Sequence, residues 1–545
     1  MTTLAPRGAL DAVTREILAN AFTALADEMA AVQYRASFSP IIREMEDYSC
    51  GLFDAEARMV AHSDSIPAQL GLMQHALGHA LGRLGALEPG DVVLCNDPYR
   101  GGTHTPDLEV FTPIHHQGSL IGYAGSIAHH IDVGGAMSGD SADCTAVHQE
   151  GLIFPGVKLA SAGVRNDALY DLIAANVRAP EATLGDLQAQ VAACRRAAER
   201  LSELAERHGA DVVGSAMTAL LEDTAARVGA ELETWPTSAS RASGYLDHDV
   251  YEPGRPVPVV ATVQVRDGAL IVDLDGSSSQ VRGSINVPWA STCAAAYFAL
   301  RCFLGPELRL NEGLMRRTVV RAPEGSIFNP RFPAAVGARH ATVQRLADVL
   351  CQALGALVPE RAVASSHVSF PTFNFQTVDP TSGRVALIAD VIGGGGGARS
   401  DGPGDDGVDS YTSNCALLPV EIAEIEYPWR IERTELIEGS GGRGRWPGGR
   451  GIRRDYRLLA GAAEGPYYIE QSLPAHAAAG ASGGEPGRPA RVRVQRRDGE
   501  WEDLPPKGYL RLEEGGVISF ESAGGGGYGP AAQVHDNASS RVAPA

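Results

Sequence analysis

The chain has 545 residues, 44% of them hydrophobic and 21% charged, so it is too long for a single core and suggests two to four domains. Its net charge of −20 at pH 7 argues against nucleic acid as a partner, since phosphate binding requires a clustered basic surface. No apolar run approaches the length of about eighteen residues that predicts a membrane-spanning helix, and the N-terminus shows no hydrophobic segment of a secretory signal.

The eight cysteines are scattered and form no CxxC pair, which favours reduced thiols over a disulfide framework. We therefore expect a soluble, cytoplasmic protein. The chain also lacks a GxSxG elbow, an HExxH helix and a paired CxxC set. The sequence therefore shows none of the usual signals of serine hydrolases, HExxH zinc proteases or zinc ribbons.

The N-terminal part alternates helix and strand signals. Apolar residues at helical spacing predict amphipathic helices over 11–34 and 69–87. Between them, the sequence predicts a β-hairpin with an apolar strand at Cys50–Phe53 and a return strand that ends at His62. Asp91–Cys95 then predicts a short buried strand that leads into a glycine-containing loop, NDPYRGGTHTPD.

Potential metal ligands cluster just after this strand. His104 and Asp107 are three positions apart in a turn with glycine and proline, so both can face one point. Strand-like segments at Phe111–Ile114 and Leu120–Ala128 predict a hairpin. This hairpin returns His129 to the neighbourhood of His104, because adjacent antiparallel strands lie about 5 Å apart. Imidazole and carboxylate groups together are typical of a divalent metal centre.

Two further polar residues, His130 and Asp132, follow His129 directly. Neighbouring residues of a strand face opposite ways, so spacing alone leaves open which of His129 and His130 is the ligand. The alternative interpretation is a set of loop histidines with hydrogen-bonded rings. The grouping of HxxD with HHxD in one short stretch favours the metal centre.

The middle of the chain predicts a helical layer followed by β structure. Residues 166–232 carry a Leu/Ala stripe with interspersed Arg and Glu, which predicts antiparallel helices covering a sheet. From Pro256 onward, apolar alternation predicts strands, and helices are predicted at 289–303 and 342–357. Polar side chains that could face the site instead of solvent are Glu44, Asp47, His62, Asp186, Gln188 and Gln190.

The last third is rich in glycine, with runs at 393–397, 439–451 and 524–527. GGRGRWPGGRG superficially resembles a nucleotide-binding loop. It lacks the GK[ST] ending of a P-loop and the strand-to-helix context of a dinucleotide fingerprint. Glycines that permit sharp turns or close backbone approach are the better interpretation. The polar tail to Ala545 is expected to be disordered.

These patterns predict an α+β protein of several layers, with mixed β-sheets, an α-helical layer and a β-rich, glycine-rich C-terminal region. We divide the chain into three regions. Residues 1–236 form an N-terminal metal-site α/β region with the helical layer, and residues 237–361 form a central β/α region. Residues 362–545 form the glycine-rich β region with its polar tail.

The motifs occur in an order that resembles one known family. They include REMEDYSCGLFDAEARMVAHSDSIPAQLG, NDPYRGGTHTPD, AHHIDVGG, QEGLIFPGVKL, NVRAPEATLGDLQAQ, RGSINVP, PEGSIFNP and SGGRGRWPGGRG. The set resembles the hydantoinase B family, over about residues 10–530, and is most like a stand-alone hydantoinase B protein. That family includes the B components of ATP-dependent hydantoin-hydrolysing enzymes, the C-terminal half of 5-oxoprolinase, lactam-hydrolysing relatives and the large subunits of acetone and acetophenone carboxylases.

The resemblance implies a division of labour between two chains. An A-type partner with an actin-like ATPase fold phosphorylates a carbonyl or amide oxygen, and this chain performs the second half-reaction at a divalent metal, Zn, Mn or Fe. In the carboxylase branch the ligands are a His and an Asp three apart and a His in the following segment, which correspond to His104, Asp107 and His129. His130 and Asp132 are then expected beside the metal, as catalytic groups that act as base or orient water.

The resemblance therefore implies the B component of an ATP-dependent cyclic-amide hydrolase, which opens hydantoin, N-methylhydantoin, 5-oxoproline or lactam rings. The chain has no ATPase motif of its own, so ATP is expected through the hydantoinase A-type partner, in an A2B2 hetero-oligomer. The first alternative is the large subunit of an ATP-dependent ketone carboxylase, although the chain is shorter than expected for that branch. The second is a non-catalytic scaffold with a structural metal.

Overall fold

In the computed structural model, which describes residues 11–63, 65–69, 71–137, 139–378, 385–497 and 499–531, the N-terminal half is built on a seven-stranded antiparallel sheet. The strands are β1 (Tyr48–Phe53), β2 (Met59–His62), β3 (Val92–Cys95), β4 (Asp107–His116), β5 (Ser119–His129), β6 (Pro155–Ser161) and β7 (Val164–Arg165). Their order in the sheet is β2-β1-β5-β4-β3-β6-β7. Both predicted hairpins are confirmed, since β1 pairs with β2 and β4 pairs with β5.

Helices cover one face of this sheet, as the Leu/Ala stripe predicted. Apolar side chains of α1 (Ala12–Ala36), α5 (Pro180–His208) and α6 (Ala210–Glu233) form one buried core with alternate residues of β4 and β5, such as Leu108 and Ala124. Side chains of a strand alternate between its faces, so the other half of each strand points away from these helices. The remaining helices of this half are α2 (Pro40–Arg43), α3 (Leu72–Leu84) and α4 (Asp167–Asn176).

The opposite face of the sheet packs against the central part of the chain. Phe111 and Ile127 share one buried core with side chains of a four-stranded sheet and of two long helices. In that sheet β10 and β11 are parallel, and the other pairs are antiparallel, in the order β11-β10-β9-β8. The elements are β8 (Ser240–Leu246), β9 (Val257–Arg266), β10 (Ala269–Asp273), α7 (Trp289–Phe303), α8 (Glu312–Met315), β11 (Thr318–Arg321) and α9 (Arg339–Leu357).

Two antiparallel sheets form the C-terminal part. The first has the order β13-β12-β16-β19, and the second has the order β14-β15-β20-β17-β18. A core rich in aromatic side chains joins them, in which Phe373 stacks on Phe520 with ring centroids 5.6 Å apart. The elements are β12 (Thr372–Val378), β13 (Val385–Val391), α10 (Val420–Glu426), β14 (Trp429–Leu436), β15 (Ile452–Leu458), β16 (Ala462–Tyr468), β17 (Arg491–Gln495), β18 (Trp501–Asp503), β19 (Lys507–Glu513) and β20 (Val517–Glu521).

The three glycine runs lie against one another, with backbone touching backbone. Gly449 donates its N–H to Gly396 over 2.8 Å, and Gly525 donates to Gly449 over 3.0 Å. A Cβ atom on Gly395 would overlap the carbonyl oxygen of Gly449. These glycines therefore allow backbone segments to approach one another closely, as predicted from the sequence.

The predicted α+β class with several layers is confirmed. Within the part of the chain that the structure describes, no helix is both long and apolar enough to cross a membrane. The polar tail from residue 532 onward lies outside the described residues. The division at 237 and 362 stays a prediction.

Candidate metal centre

The site lies where β4 begins and β5 ends. The two strands are in register so that Asp107 stands opposite His129, on the sheet face turned away from the helical layer. His104 lies in the turn just before β4. Oδ1 of Asp107 is 3.2 Å from Nε2 of His104 and 3.3 Å from Nδ1 of His129. The three predicted ligands are therefore brought together.

A second carboxylate, Asp140, belongs to the same group and was missed by the sequence-based prediction. It lies in the loop after β5, and its Oδ1 is 3.1 Å from Nδ1 of His104. His104, His129 and Asp140 each offer a ligand atom within 4.8 Å of the other two. The sequence carries little signal for Asp140, because it stands in a segment of small residues with Asp143 close by and at no characteristic spacing from the histidines.

Two buried carboxylate oxygens of this group accept no hydrogen bond. They are Oδ1 of Asp107 and Oδ1 of Asp140, and neither has a hydrogen-bond partner among the described residues. Both oxygens face imidazole nitrogens at 3.1–3.3 Å, outside hydrogen-bond geometry. A buried carboxylate oxygen that accepts no hydrogen bond is costly, so the arrangement calls for a cation between these oxygens and the imidazoles. Two histidines with one or two carboxylates suit Zn, Mn or Fe. The residues present therefore fit a divalent metal.

The charges of the group also favour a cation. Burial alone would lower the pKa of His104, but Asp107 and Asp140 outweigh burial and raise that pKa to about 10. Burial would raise the pKa of Asp140, and the neighbouring His104 instead lowers it to about 2. The carboxylates thus concentrate negative charge in a buried space. A metal ion would take the place of the protons that the histidines otherwise hold.

Arg339, the first residue of α9, holds the other oxygen of Asp107. Its Nη2 donates to Oδ2 of Asp107 over 2.9 Å, and the hydroxyl of Thr103 donates to the same oxygen. Both side chains of the ion pair are almost fully buried. Supporting contacts of this kind orient a ligand and tune its basicity. Sequence reasoning missed Arg339, because more than two hundred residues separate it from Asp107.

Asp47, which precedes β1, faces the group from another side. Its Oδ2 is 4.0 Å from Nδ1 of His129, and its Oδ1 accepts a hydrogen bond of 3.1 Å from Gln69. Burial raises the pKa of Asp47 above its usual range, although the charge of His129 opposes the shift. Of the three polar residues flagged around the first hairpin, Asp47 alone lines the cavity at the metal-ligand group. Glu44 instead pairs with Arg43 over 2.7 Å.

The predicted catalytic residues His130 and Asp132 are not brought to the group. His130 points to the opposite face of the sheet, because it directly follows His129 on an extended backbone, and its Nε2 lies 2.9 Å from Oε1 of Gln190 in α5. Asp132 accepts hydrogen bonds from the guanidinium of Arg178 at 2.9 Å and from a backbone N–H at 3.1 Å. The contacts with Gln190 and Arg178 tie the chain after β5 to the helical layer.

The other polar residues of α5 that could have faced the site also lie elsewhere. Asp186 accepts hydrogen bonds from the N–H groups of Phe38 at 2.6 Å and Ser39 at 3.1 Å, which fixes the chain after α1. Gln188 is exposed to solvent. Gln190 donates to the carbonyl of Leu108 over 2.8 Å. Asp186 and Gln190 therefore brace the helical layer against the rest of the N-terminal half.

The metal-ligand group opens into a cavity of about 70 Å³. His340, in the first turn of α9, lines this cavity and contacts the rings of Phe370 and Tyr468 at centroid distances of 4.6 and 4.8 Å. Burial lowers the pKa of His340 to about 3, so its ring is neutral at neutral pH. The apolar walls are contributed by Ile41, Met45, Ile66, Phe370, Ala389 and Val391.

Comparison with known proteins places the chain in a family. The sequence profile described as Hydantoinase B/oxoprolinase matches residues 11–531. The chain is 31% identical to a putative D-/L-hydantoinase B chain of Pseudomonas sp. (strain NS671), over 95% of this chain and 90% of that protein.

Solved structures agree with the sequence comparison. The ATP-dependent caprolactamase from Pseudomonas jessenii superposes with a TM-score of 0.89 at 28% identity, over 96% of this chain and 92% of that one. Acetone carboxylase in its nucleotide-free form superposes with a TM-score of 0.85 at 17% identity, over 94% of this chain and 76% of that one, which shows a shared fold. The chain therefore belongs to the hydantoinase B/oxoprolinase family.

Proposed function

We propose that this chain is the B component of an ATP-dependent cyclic-amide hydrolase. It opens a hydantoin, 5-oxoproline or lactam ring after an A-type ATPase partner has phosphorylated the substrate. The observation that carries the proposal is the group of His104, Asp107, His129 and Asp140 at the base of a small cavity. Membership of the family and the similarity to a caprolactamase support the choice of cyclic amides.

The two half-reactions answer a chemical difficulty. Amide resonance makes the carbonyl carbon of an unstrained ring a poor electrophile. Phosphorylation of its oxygen by the partner gives an imidate-like ester in which that resonance is lost. Addition of water to its carbon, cleavage of the C–N bond with a proton delivered to nitrogen, and hydrolysis of the resulting acyl phosphate give the ring-opened acid and phosphate. A divalent cation held by the candidate ligands would supply Lewis acidity toward an oxygen of the substrate and toward water.

The residues of this chain perform the remaining tasks. Oδ2 of Asp47 faces the ligand group and lies 4.0 Å from His129, beyond hydrogen-bond distance. We assign this oxygen as the base that accepts a proton from the attacking water. Gln69 fixes the orientation of Asp47 through the other oxygen. Arg339 keeps Asp107 directed toward the histidines. The apolar walls exclude bulk water from the activated substrate.

The metal is Zn, Mn or Fe, since the donor set suits each of them. The complex is an A2B2 hetero-oligomer in the cytoplasm, with ATP bound by the A-type partner. These assignments rest on the family and on the donor chemistry of the site.

The test is ring opening by the complex purified with its ATPase partner. We expect ATP-dependent opening of at least one hydantoin, lactam or 5-oxoproline, and neither ATP hydrolysis nor ring opening by the chain alone. Incorporation of labelled bicarbonate into a ketone would assign the chain to the carboxylases instead. Full activity of the partner without this chain would make it a scaffold.

A further inference from the structure

Two polar side chains that line the cavity have not been used by the proposed chemistry. Nε2 of His340 is buried and has no hydrogen-bond partner among the described residues. Asn374, on β12, lines the same cavity. Asn374 is only 9% exposed. Buried polar groups without partners are uncommon, so Nε2 of His340 calls for a ligand. The Asn374 amide lines the same cavity and can reach that ligand.

Several other polar side chains around the cavity are engaged within the protein, although Oε1 of Gln69 is also buried without a hydrogen-bond partner among the described residues. Gln69 donates to Asp47, and Gln344 accepts from the N–H of Thr412 at 3.3 Å. The hydroxyl of Thr372 donates to the carbonyl of Asp390 over 2.9 Å. His340 and Asn374 lie at the wall of the cavity beside Asp140, where both can contact a substrate.

Both side chains are held in place. The ring of His340 is fixed by its contacts with Phe370 and Tyr468, and its Nδ1 lies 3.7 Å from Oδ2 of Asp140. Asn374 alternates along β12 with buried aromatic residues that anchor the strand in the C-terminal core. The backbone of Gly139 approaches the Asn374 amide so closely that a Cβ atom there would overlap it. The fixed amide of Asn374 and the fixed imidazole of His340 can therefore recognise one hydrogen-bonding group of a substrate.

We propose that His340 and Asn374 recognise the ring nitrogen of the substrate, and that the chain is therefore selective for cyclic amides whose nitrogen carries hydrogen over N-alkylated ones. The inference rests on the proposed function. A side-chain amide offers both a donor and an acceptor, so Asn374 can accept from the ring N–H of the free amide or donate to the bare nitrogen of its O-phosphorylated form. An N-methyl group removes both possibilities and occupies the space of the contact.

The first test needs no variant. The metal-loaded chain is titrated, with detection by ligand-observed NMR, with 2-pyrrolidone, 2-piperidone and caprolactam, each against its N-methyl derivative. We expect the N–H member to bind at least about 10-fold more tightly in the pair whose ring size fits, because a site built for a hydrogen bond rejects an analogue that lacks it. Equal affinities within every pair, or no binding of any ring, would overturn the inference.

Variants then locate the discrimination. Asn374→Leu and His340→Phe should each lower the ratio of N–H to N-methyl affinity toward one, while Gln376→Leu, on the same face of β12 but outside the cavity, should leave it unchanged. An unchanged ratio in both site variants would contradict the assignment. Circular dichroism identifies a variant that fails to fold, and the comparison of ligands in the wild type then decides.

The outcome is separable from that of the proposed function. Selective binding of N–H rings together with no ATP-dependent ring opening by the complex would refute the hydrolase and keep the recognition site. Ring opening of N-methyl and N–H amides at equal rates would keep the hydrolase and refute the recognition site.

Discussion

Arg339 and Asp107 form a buried ion pair in which one carboxylate oxygen receives the guanidinium and the other faces His104 and His129. The arginine thus decides which oxygen of Asp107 is left for a metal. We expect Arg339→Met to lower the affinity for Zn or Mn by about 10- to 100-fold, measured by competition with a chelator. Arg309→Met, which removes a surface pair with Glu16, is the matched control. Equal affinities of the two variants would contradict the supporting role.

Single alanine replacements should show which of the two carboxylates, Asp107 or Asp140, binds the metal. We expect His104→Ala and His129→Ala to be purified with little metal, whereas His116→Ala, at the far end of β4, keeps about one ion per chain. Elemental analysis of Asp107→Ala and Asp140→Ala then shows which carboxylate is the ligand. Retention of full metal content by a double variant of His104 and Asp107 would refute the metal centre.

Asp47→Asn tests the proton acceptor. We expect ring opening by the complex to fall by about 10²- to 10⁴-fold, the usual contribution of a general base. The metal content should be unchanged, since Asp47 stands 4.0 Å from His129 and outside the closest ligand group. Glu44→Gln, whose carboxylate pairs with Arg43, should keep full activity. A loss of metal in Asp47→Asn would make it a ligand instead.

His130→Phe tests the separation of the two neighbouring histidines. Because His130 contacts Oε1 of Gln190 on the helical side of the sheet, its replacement leaves that buried amide oxygen without a partner. We expect the free energy of unfolding to fall by about 1–3 kcal/mol and the metal content to stay at the wild-type level. Loss of metal without loss of stability would show that His130 acts at the site.

Asp247 should give a pH-dependent contribution to stability far from the metal centre. Burial would raise its pKa, but hydrogen bonds from His476 at 2.8 Å and from Ser472 hold it below the ordinary value of 3.8. A carboxylate with a lowered pKa stabilises the folded state at neutral pH, and this stabilisation is lost as the pH falls below 3.8 through the folded-state pKa.

Urea denaturation of Asp247→Ala across pH 3 to 7 checks this expectation. The variant should be less stable than the wild type by about 3–5 kcal/mol near neutral pH, and the difference should narrow toward the acid end. Asp503→Ala, which removes an exposed pair with Arg491, should cost at most about 1 kcal/mol. A constant difference at every pH would argue against the assigned pKa.

Much of the fold could be predicted because its elements carry local periodicity. The helix at 289–303 and the hairpin that ends at His62 were read from apolar spacing alone, and both are present. The packing of the C-terminal sheets could not be read in this way. Their strand order, β14-β15-β20-β17-β18, joins segments that are far apart in sequence and are selected by tertiary contacts.

The residues of the candidate site likewise fall into those that local sequence patterns predict and those that they do not. His104, Asp107 and His129 were accessible because one hairpin brings them together, and the register of β4 and β5 turns His129 rather than His130 to the cavity. Arg339 and Asn374 come from distant elements whose approach no local pattern records. A polar residue of that kind looks like any other surface residue until the fold is known.

The contacts among the glycine runs constrain how the chain is made. The three runs are far apart in sequence, yet their backbones pack directly against one another at Gly395, Gly449 and Gly525. During synthesis the first two runs leave the ribosome while the third is still untranslated. The C-terminal part can therefore close only after the third run has been translated, so a ribosome that stops before residue 525 leaves this packing incomplete.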